Sequence, residues 1–264
     1  MRRVLFFIVA IGYLSCEERT DIDIPTRDIG LLVVEGLVTN ERKNHLVKIS
    51  KPYGNLNGMA EPVTGATVYI FEDTTNVYGL TEFPQGSGNY YTPLIRGLTG
   101  KLYTLYILYE GKGYFAQDSP LPVEPPRAFA YSETERGNIL TLNPHGRDPN
   151  YVEHFITWQH TDVCTEQSLC KGRLIYYDLK TIDVNELFKP DQEMFYFPDQ
   201  SIVVRRKYSL SAAYKTYLRS MLSETEWRGG SFDVQRSNAP GNLSEGAIGF
   251  FAVCSVVSDT TLIQ

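Results

Sequence analysis

Val63-Thr64-Gly65-Ala66-Thr67-Val68-Tyr69-Ile70-Phe71 is the stretch on which the fold turns. Ala66, Val68 and Ile70 fall on one face of an extended chain, and Thr67, Tyr69 and Phe71 on the other. That two-residue period belongs to a strand with one face buried, whereas a helix gathers its apolar residues three and four apart. Working outward, the pattern recurs. Leu31–Val38 reads as a strand broken or bulged at Gly36, and His45–Ser50 as one stopped by Pro52. Gly86–Tyr91 is a turn feeding a strand, and Leu102–Tyr109 is a longer run joined to Tyr114–Ala116 through Glu110-Gly111-Lys112-Gly113, a hairpin connection. Such strands, with no helical period between them, imply a β-sandwich over residues 29–119.

Composition supports this. Of 264 residues, 42% are hydrophobic and 21% charged, which excludes a collagen, a coiled coil, a polytopic membrane protein and a mainly disordered chain. The 18 tyrosines and 13 phenylalanines suit pleated, half-buried strands. With a net charge of −6 and scattered Lys and Arg, nucleic acid is not an expected partner. Pro62–Val68, then Gly88-Asn89-Tyr90, then Gly100-Lys101-Leu102-Tyr103-Thr104-Leu105 resemble the transthyretin-like or carboxypeptidase-regulatory-like sandwich. The matching glycines sit at turns and the alternating residues fill the space between sheets, so the resemblance implies a fold and no chemistry.

Pro120, Pro122, Pro125 and Pro126 cannot continue a helix or a central strand, and residues 120–127 read as a semi-rigid connector. Beyond it, residues 128–264 form a second β-rich domain. Its expected strands are Gly137–Leu142, Phe155–His160, Leu174–Tyr177, Ser201–Val204 and the apolar run Gly246–Val257, with one helical turn at Val184–Phe188. Leu210, Ala213, Tyr214, Tyr217, Leu218, Met221 and Leu222 follow the helical period, giving a surface helix near 209–223 with Ser209 as its N-cap. The fold class is therefore mainly β, with two β-sandwich-like domains, the second carrying one amphipathic helix.

The amino terminus gives the address. Arg2 and Arg3 precede Val4–Leu14, eleven residues without a charge, against the ~20 needed to span a bilayer. A basic head and a short apolar centre mark residues 1–15 as a secretory signal peptide. Ser15-Cys16 resembles the end of a bacterial lipobox, with Tyr13 where an aliphatic residue is usual. This implies that Cys16 is acylated and that residues 16–28 are a lipidated tether. At ~0.8 kcal/mol per buried CH₂, several acyl chains hold a domain firmly. Glu17, Glu18, Asp21 and Asp23 resemble a signal for display on the outer face of the outer membrane. Loss of residues 1–15 removes two arginines and no acid, leaving a net −8, which opposes direct electrostatic binding to anionic lipid.

Cys16-Glu17, Leu32-Val33-Val34-Glu35-Gly36, Gly65–Val68, the helix after Ser209, Asn242-Leu243, Gly246 and Gly249-Phe250-Phe251 together resemble a Bacteroidota outer-membrane lipoprotein family of unknown function. Its genes commonly lie beside TonB-dependent receptors. The resemblance implies an outer-membrane, surface-exposed lipoprotein whose partner is a TonB-dependent receptor; it supplies no catalytic residues, and the cargo is unknown.

With Cys16 acylated, three cysteines meet an oxidising compartment. Cys164 and Cys170 suit a disulfide closing a short loop after the Trp158 strand. The competing reading is zinc held by His154, His160, Cys164 and Cys170, although the tight cysteine pair of structural zinc sites is missing. Cys254 reads as a buried small hydrophobe, and His45 and His145 as exposed turn or strand-edge residues. There is no G-x-S-x-G, H-E-x-x-H, Walker or dinucleotide-binding motif, and the pairs Glu133/Glu135 and Glu224/Glu226 read as solvated. No enzyme activity, cofactor or metal is expected. Tyr90-Tyr91 and Tyr176-Tyr177 read as core, whereas Phe195-Tyr196-Phe197, flanked by prolines and acids, reads as a loop that contacts a partner. The function expected is that of a non-catalytic accessory or binding component of a TonB-dependent uptake or assembly complex. A structural or adhesive surface protein, or an envelope hydrolase, are the rivals.

Overall fold

The computed structural model describes residues 30–53, 58–127, 129–140, 151–177, 195–225 and 239–264. The signal peptide, the tether with Cys16, the turn at Val184–Phe188 and His145 lie outside them. The amino-terminal half supplies β1 (Leu32–Thr39), β2 (Leu46–Ser50), β3 (Thr67–Glu72), β4 (Asn76–Gly79), β5 (Thr81–Glu82), β6 (Asn89–Tyr91), β7 (Tyr103–Tyr109) and β8 (Lys112–Asp118). Then follow β9 (Tyr131–Thr134), β10 (Gly137–Leu140), β11 (Tyr151–Thr157), β12 (Lys171–Tyr177), β13 (Ile202–Tyr208), helix α1 (Ala212–Thr225), β14 (Ala247–Cys254) and β15 (Val256–Leu262). The chain is mainly β, as its pattern implies.

Two sheets, β14-β1-β2-β6-β5 and β4-β3-β7-β8, form the first sandwich. The alternation read in the sequence fills the space between them. Val34, Val38, Val47 and Ile49 from one sheet meet Val68, Ile70, Leu105 and Ile107 from the other. Gly36 neither breaks nor bulges β1, which is continuous. Instead it makes room: a Cβ there would lie 3.0 Å from Phe251 Cδ2 and 3.3 Å from Val47 Cγ2.

The placement of β14 corrects the sequence reading, which grouped it with the carboxy-terminal half. It pairs in parallel with β1 along its whole length, from Leu32 opposite Ala247 to Thr39 opposite Cys254. An apolar run needs cover on both faces, and this position supplies it. Phe251 and Val253 enter the sandwich core, while Phe250, Ala252 and Cys254 join a second cluster with Leu37, Leu210, Tyr214 and Tyr217. At Gly249, φ is +103° and a Cβ would lie 2.1 Å from the Val34 carbonyl oxygen, so only glycine permits this close pairing.

A further sheet, β12-β11-β13-β15, is joined to the sandwich by a single residue, Ser255. Ser209 pins that turn: its N–H donates to the Ser255 carbonyl and its Oγ accepts the Ser255 N–H, both at 2.8 Å. Asn40 adds a second pin, accepting the Val256 N–H at 2.8 Å and donating to its carbonyl at 3.2 Å. Ser209 is thus occupied, and the helix cap is Ser211, whose Oγ accepts the Tyr214 N–H at 3.2 Å. α1 lies on the outer side of β14, with Tyr214 and Tyr217 at 4.9 and 5.2 Å from the Phe250 ring.

Candidate functional site

Thr67, Tyr69 and Phe71 point away from the sandwich core, and the register extends this outer face over four strands. Gly79, Tyr69, Tyr106 and Phe115 form one row across the sheet. Val77, Phe71, Thr104 and Gln117 form the next. Thr67 and Leu108 extend the face beyond Tyr69 and Tyr106. Not one of these positions carries a charge. Tyr69 is 37% exposed, Phe115 55% and Val77 56%, too much apolar surface in one place to be scattered chance. The two central rings lie beside glycines on neighbouring strands. A Cβ at Gly79 would touch Tyr69 Cε1 at 3.5 Å, and one at Gly113 would press on the Tyr106 hydroxyl at 3.0 Å and Cε2 at 3.2 Å. In the second row, Gln117 Nε2 donates to Thr104 Oγ1 at 3.0 Å.

The sheet β12-β11-β13-β15 holds a polar cluster. Glu153 accepts hydrogen bonds from the Tyr151 and Tyr208 hydroxyls, both at 2.6 Å, and pairs with Arg173. Burial pushes its carboxyl up, but these hydrogen bonds and the Arg173 charge outweigh it and hold the group below the usual range. Burial and the Glu153 contact push Tyr208 up. Arg206 pairs with Glu41. On the opposite face, Arg205 pairs with Asp259 and donates to the Arg127 carbonyl at 2.7 Å. His154 is pushed down to about 4 by burial and by Arg205, so it is neutral at pH 7. Through Tyr208 and Arg173, Glu153 ties β11 to both of its neighbours, β13 and β12.

Of the residues singled out by sequence, Cys164 and Cys170 form a disulfide. With both sulfurs bonded to each other, the zinc reading loses its thiolates, and among the described residues no group of three or more His, Cys, Asp or Glu is placed to hold a metal ion. Cys254 is buried, and burial together with Asp118 pushes its thiol up. His45 is 2% exposed rather than on an edge; Nδ1 accepts the Thr39 N–H at 3.4 Å and Nε2 meets the Ile95 carbonyl at 3.2 Å.

The aromatic loop is also corrected. Phe197 is 1% exposed and exchanges two backbone hydrogen bonds with Asn138, at 2.8 and 3.0 Å, so it is core. Phe195 packs on Trp158, their centroids 6.1 Å apart, and on Gly172, where no Cβ would fit. Tyr196 is half-buried with Arg136 over its ring at 5.9 Å. The short hairpin β9–β10 covers this cluster, and prolines alone do not reveal such a cover. Conversely, the reading of Tyr69 and Phe71 as the second face of a strand stopped short of the surface they build. Its signal was legible in the sequence: alternate aromatics without any charge among them.

Residues 17–260 match a family model for a domain of unknown function, DUF4249. The chain belongs to the DUF4249 family. No curated protein sequence matches it. The DUF4249 match opens at Glu17, directly after Cys16, and spans both the sandwich and the sheet that follows. Among the described residues, no helix is long and apolar enough to cross a membrane.

Proposed function

We propose that the chain is a non-catalytic lipoprotein of the outer membrane, displayed at the cell surface and acting as an accessory or binding component of a TonB-dependent receptor complex. One observation carries this reading: a charged head, eleven uncharged residues and Ser15-Cys16, with the family match starting at the next residue. Acylation at Cys16 supplies the anchor, and the acidic residues that follow keep the globule from lying on anionic lipid. The uncharged aromatic face fits a binding role, while the ionisable clusters fit a structural one, each carboxylate being committed to its own donors. The Bacteroidota origin and the receptor partnership come from the family resemblance.

The test has two parts. Mass spectrometry of the purified mature protein is expected to show Cys16 carrying acyl chains. Affinity purification of a tagged chain from solubilised outer membranes is expected to recover a TonB-dependent receptor. A bare polypeptide mass with release from the envelope on washing overturns the anchor, and recovery of no receptor overturns the partnership.

A further inference from the structure

We propose that the free edge of β15 pairs with the same edge of a second copy, antiparallel and centred on Thr260, so that two chains share one continuous sheet. This goes beyond the receptor reading and does not depend on it.

Backbone hydrogen bonds fix which groups of β15 face outward. Ser209 N–H donates to the Ser255 carbonyl at 2.8 Å and Ile263 N–H to the Ser201 carbonyl at 2.9 Å, so the odd-numbered residues of β15 bond to β13. In an antiparallel pair the residues between them turn their N–H and C=O the other way. Asn40 marks that direction, since its side chain holds both the N–H and the carbonyl of Val256. The guard ends there. Ser258, Thr260 and Leu262 are exposed, Leu262 by 59%, and no hydrogen bond covers their outward groups among the described residues.

The other edges are closed, charged or short. Asn242 accepts the Phe251 N–H and donates to its carbonyl and to that of Gln117. Asp118 accepts the Val253 N–H, and Ser244 exchanges hydrogen bonds with Phe115, so β8 and β14 are covered. β12, the opposite edge of the same sheet, carries Lys171 and Arg173, charges that keep like strands apart. β4 and β5 are 4 and 2 residues long. β15 has no lysine, arginine or proline.

This strand is also complementary to itself. With Thr260 on a two-fold axis, it faces the partner's Thr260 and Ser258 faces the partner's Leu262, each pair exchanging both backbone hydrogen bonds. Every open group is then used, and Thr opposite Thr is a favourable cross-strand pair. The one charge on the strand, Asp259, falls opposite the partner's Thr261 and is already paired with Arg205 of its own chain. Centring on Asp259 sets that charge against itself, and centring on Thr261 leaves Ser258 beyond the end of the partner's strand.

The experiment is cysteine cross-linking and sedimentation of the full mature chain in excess detergent. Thr260→Cys is expected to form a disulfide-linked dimer under mild oxidation, since residues directly opposite in such a pair lie ~5.5 Å apart at Cα. Ser258→Cys and Leu262→Cys are each expected to stay uncross-linked alone and to cross-link when mixed. Thr74→Cys, on the exposed turn between β3 and β4, is the control. Thr260→Lys and Thr260→Glu are each expected to weaken self-association about tenfold, and an equimolar mixture of the two to restore it. Thr260→Pro removes only an outward N–H, so it is expected to abolish the dimer with an unchanged far-UV circular dichroism spectrum. Cross-linking of Thr74→Cys as fast as Thr260→Cys, a Ser258→Cys homodimer, a dimer indifferent to Thr260→Lys, or open polymers built by β15 on β12 overturns the proposal. So does a β15 edge that cross-links only to a different protein. A lipidated chain that recovers its receptor and sediments as a monomer sinks this inference alone. A chain without acyl chains that still dimerises through Thr260 sinks only the anchor.

Discussion

The first sandwich and the sheet β12-β11-β13-β15 are both built from β-strands, yet their centres hold different chemistry. Between the two sheets of the sandwich, Val34, Val47, Ile49, Ile70, Leu105 and Phe251 are wholly buried. In the central strands of the other sheet, Glu153, His154, Arg205 and Lys207 are buried as well. Burying apolar area is worth ~25 cal/mol per Å², needs no partner geometry and is indifferent to pH. Burying charge costs several kcal/mol per ion unless each group meets its counterpart. The sandwich therefore rests mainly on apolar burial, with His45, Glu72 and Asp118 buried at its margins, whereas the second sheet carries Glu153, His154, Arg205 and Lys207 in its two central strands.

The largest expected effect attacks the sandwich at the strand it borrows. Phe251→Ala empties a wholly buried site between Gly36 and Val47, and Gly36 has no side chain with which to fill it. The expected loss is ~3–5 kcal/mol in urea denaturation. A cost of under ~1 kcal/mol would mean that β14 is dispensable to the sandwich, and the contrast between the regions would collapse. Next comes the disulfide. Cys164 and Cys170 close a loop with a sequence separation of 6, and Trp158 N–H donates to the Cys170 carbonyl at 3.0 Å. Reduction is expected to cost ~2–3 kcal/mol, with hydrogen exchange rising at the ends of β11 and β12 and staying flat in β3 and β7. Exchange rising equally in both regions would show that they are not energetically distinct.

What the sequence made legible follows the range of the interaction. The strands Thr67–Glu72, Tyr103–Tyr109 and Tyr151–Thr157 announce themselves because alternation is local, and α1 because its stripe is. The Cys164–Cys170 pair was readable since a short loop leaves few choices. The partner of Ala247–Cys254 was not, because a run of apolar residues says that both faces are covered but not by which strand, here one more than two hundred residues earlier. Phe197 misled for the same reason: its flanking prolines describe its backbone, and its cover comes from β9–β10. Tyr69 and Tyr106 lie between these cases. Their outward direction was plain, but their meeting on one face depends on the Tyr69–Tyr106 register, and pairing register is set over distance.

A smaller effect tests the helix that covers β14. Ser211→Ala removes the acceptor for the Tyr214 N–H and is expected to cost ~1 kcal/mol, whereas Ser209→Ala loosens the Ser255 turn and not the helix. Helicity measured by circular dichroism separates the two, and equal loss in both would return the cap to Ser209.

The finest test of the contrast is acid, because the two regions respond in opposite directions. Glu153 has a folded pKa below its usual 4.5, so the stability it adds is present above that value and is lost as pH falls through the folded pKa. Asp118 belongs to the seam between β8 and β14, where it accepts the Val253 N–H at 2.8 Å. Burial raises its pKa above the usual 3.8, outweighing the hydrogen bonds from Val253, Ser119 and Ser211 that lower it. The folded state therefore takes up a proton before the unfolded chain does, and this seam gains stability as pH falls through the raised pKa. Hydrogen exchange, corrected for intrinsic rates and followed from pH 7 towards ~3, is expected to open β11 and β13 while β8 and β14 hold. Glu153→Gln is expected to flatten the first response and Asp118→Asn the second. If acid opened the β8–β14 seam first, the sandwich would prove to be the charge-dependent region, and the division of labour between the two sheets would be reversed.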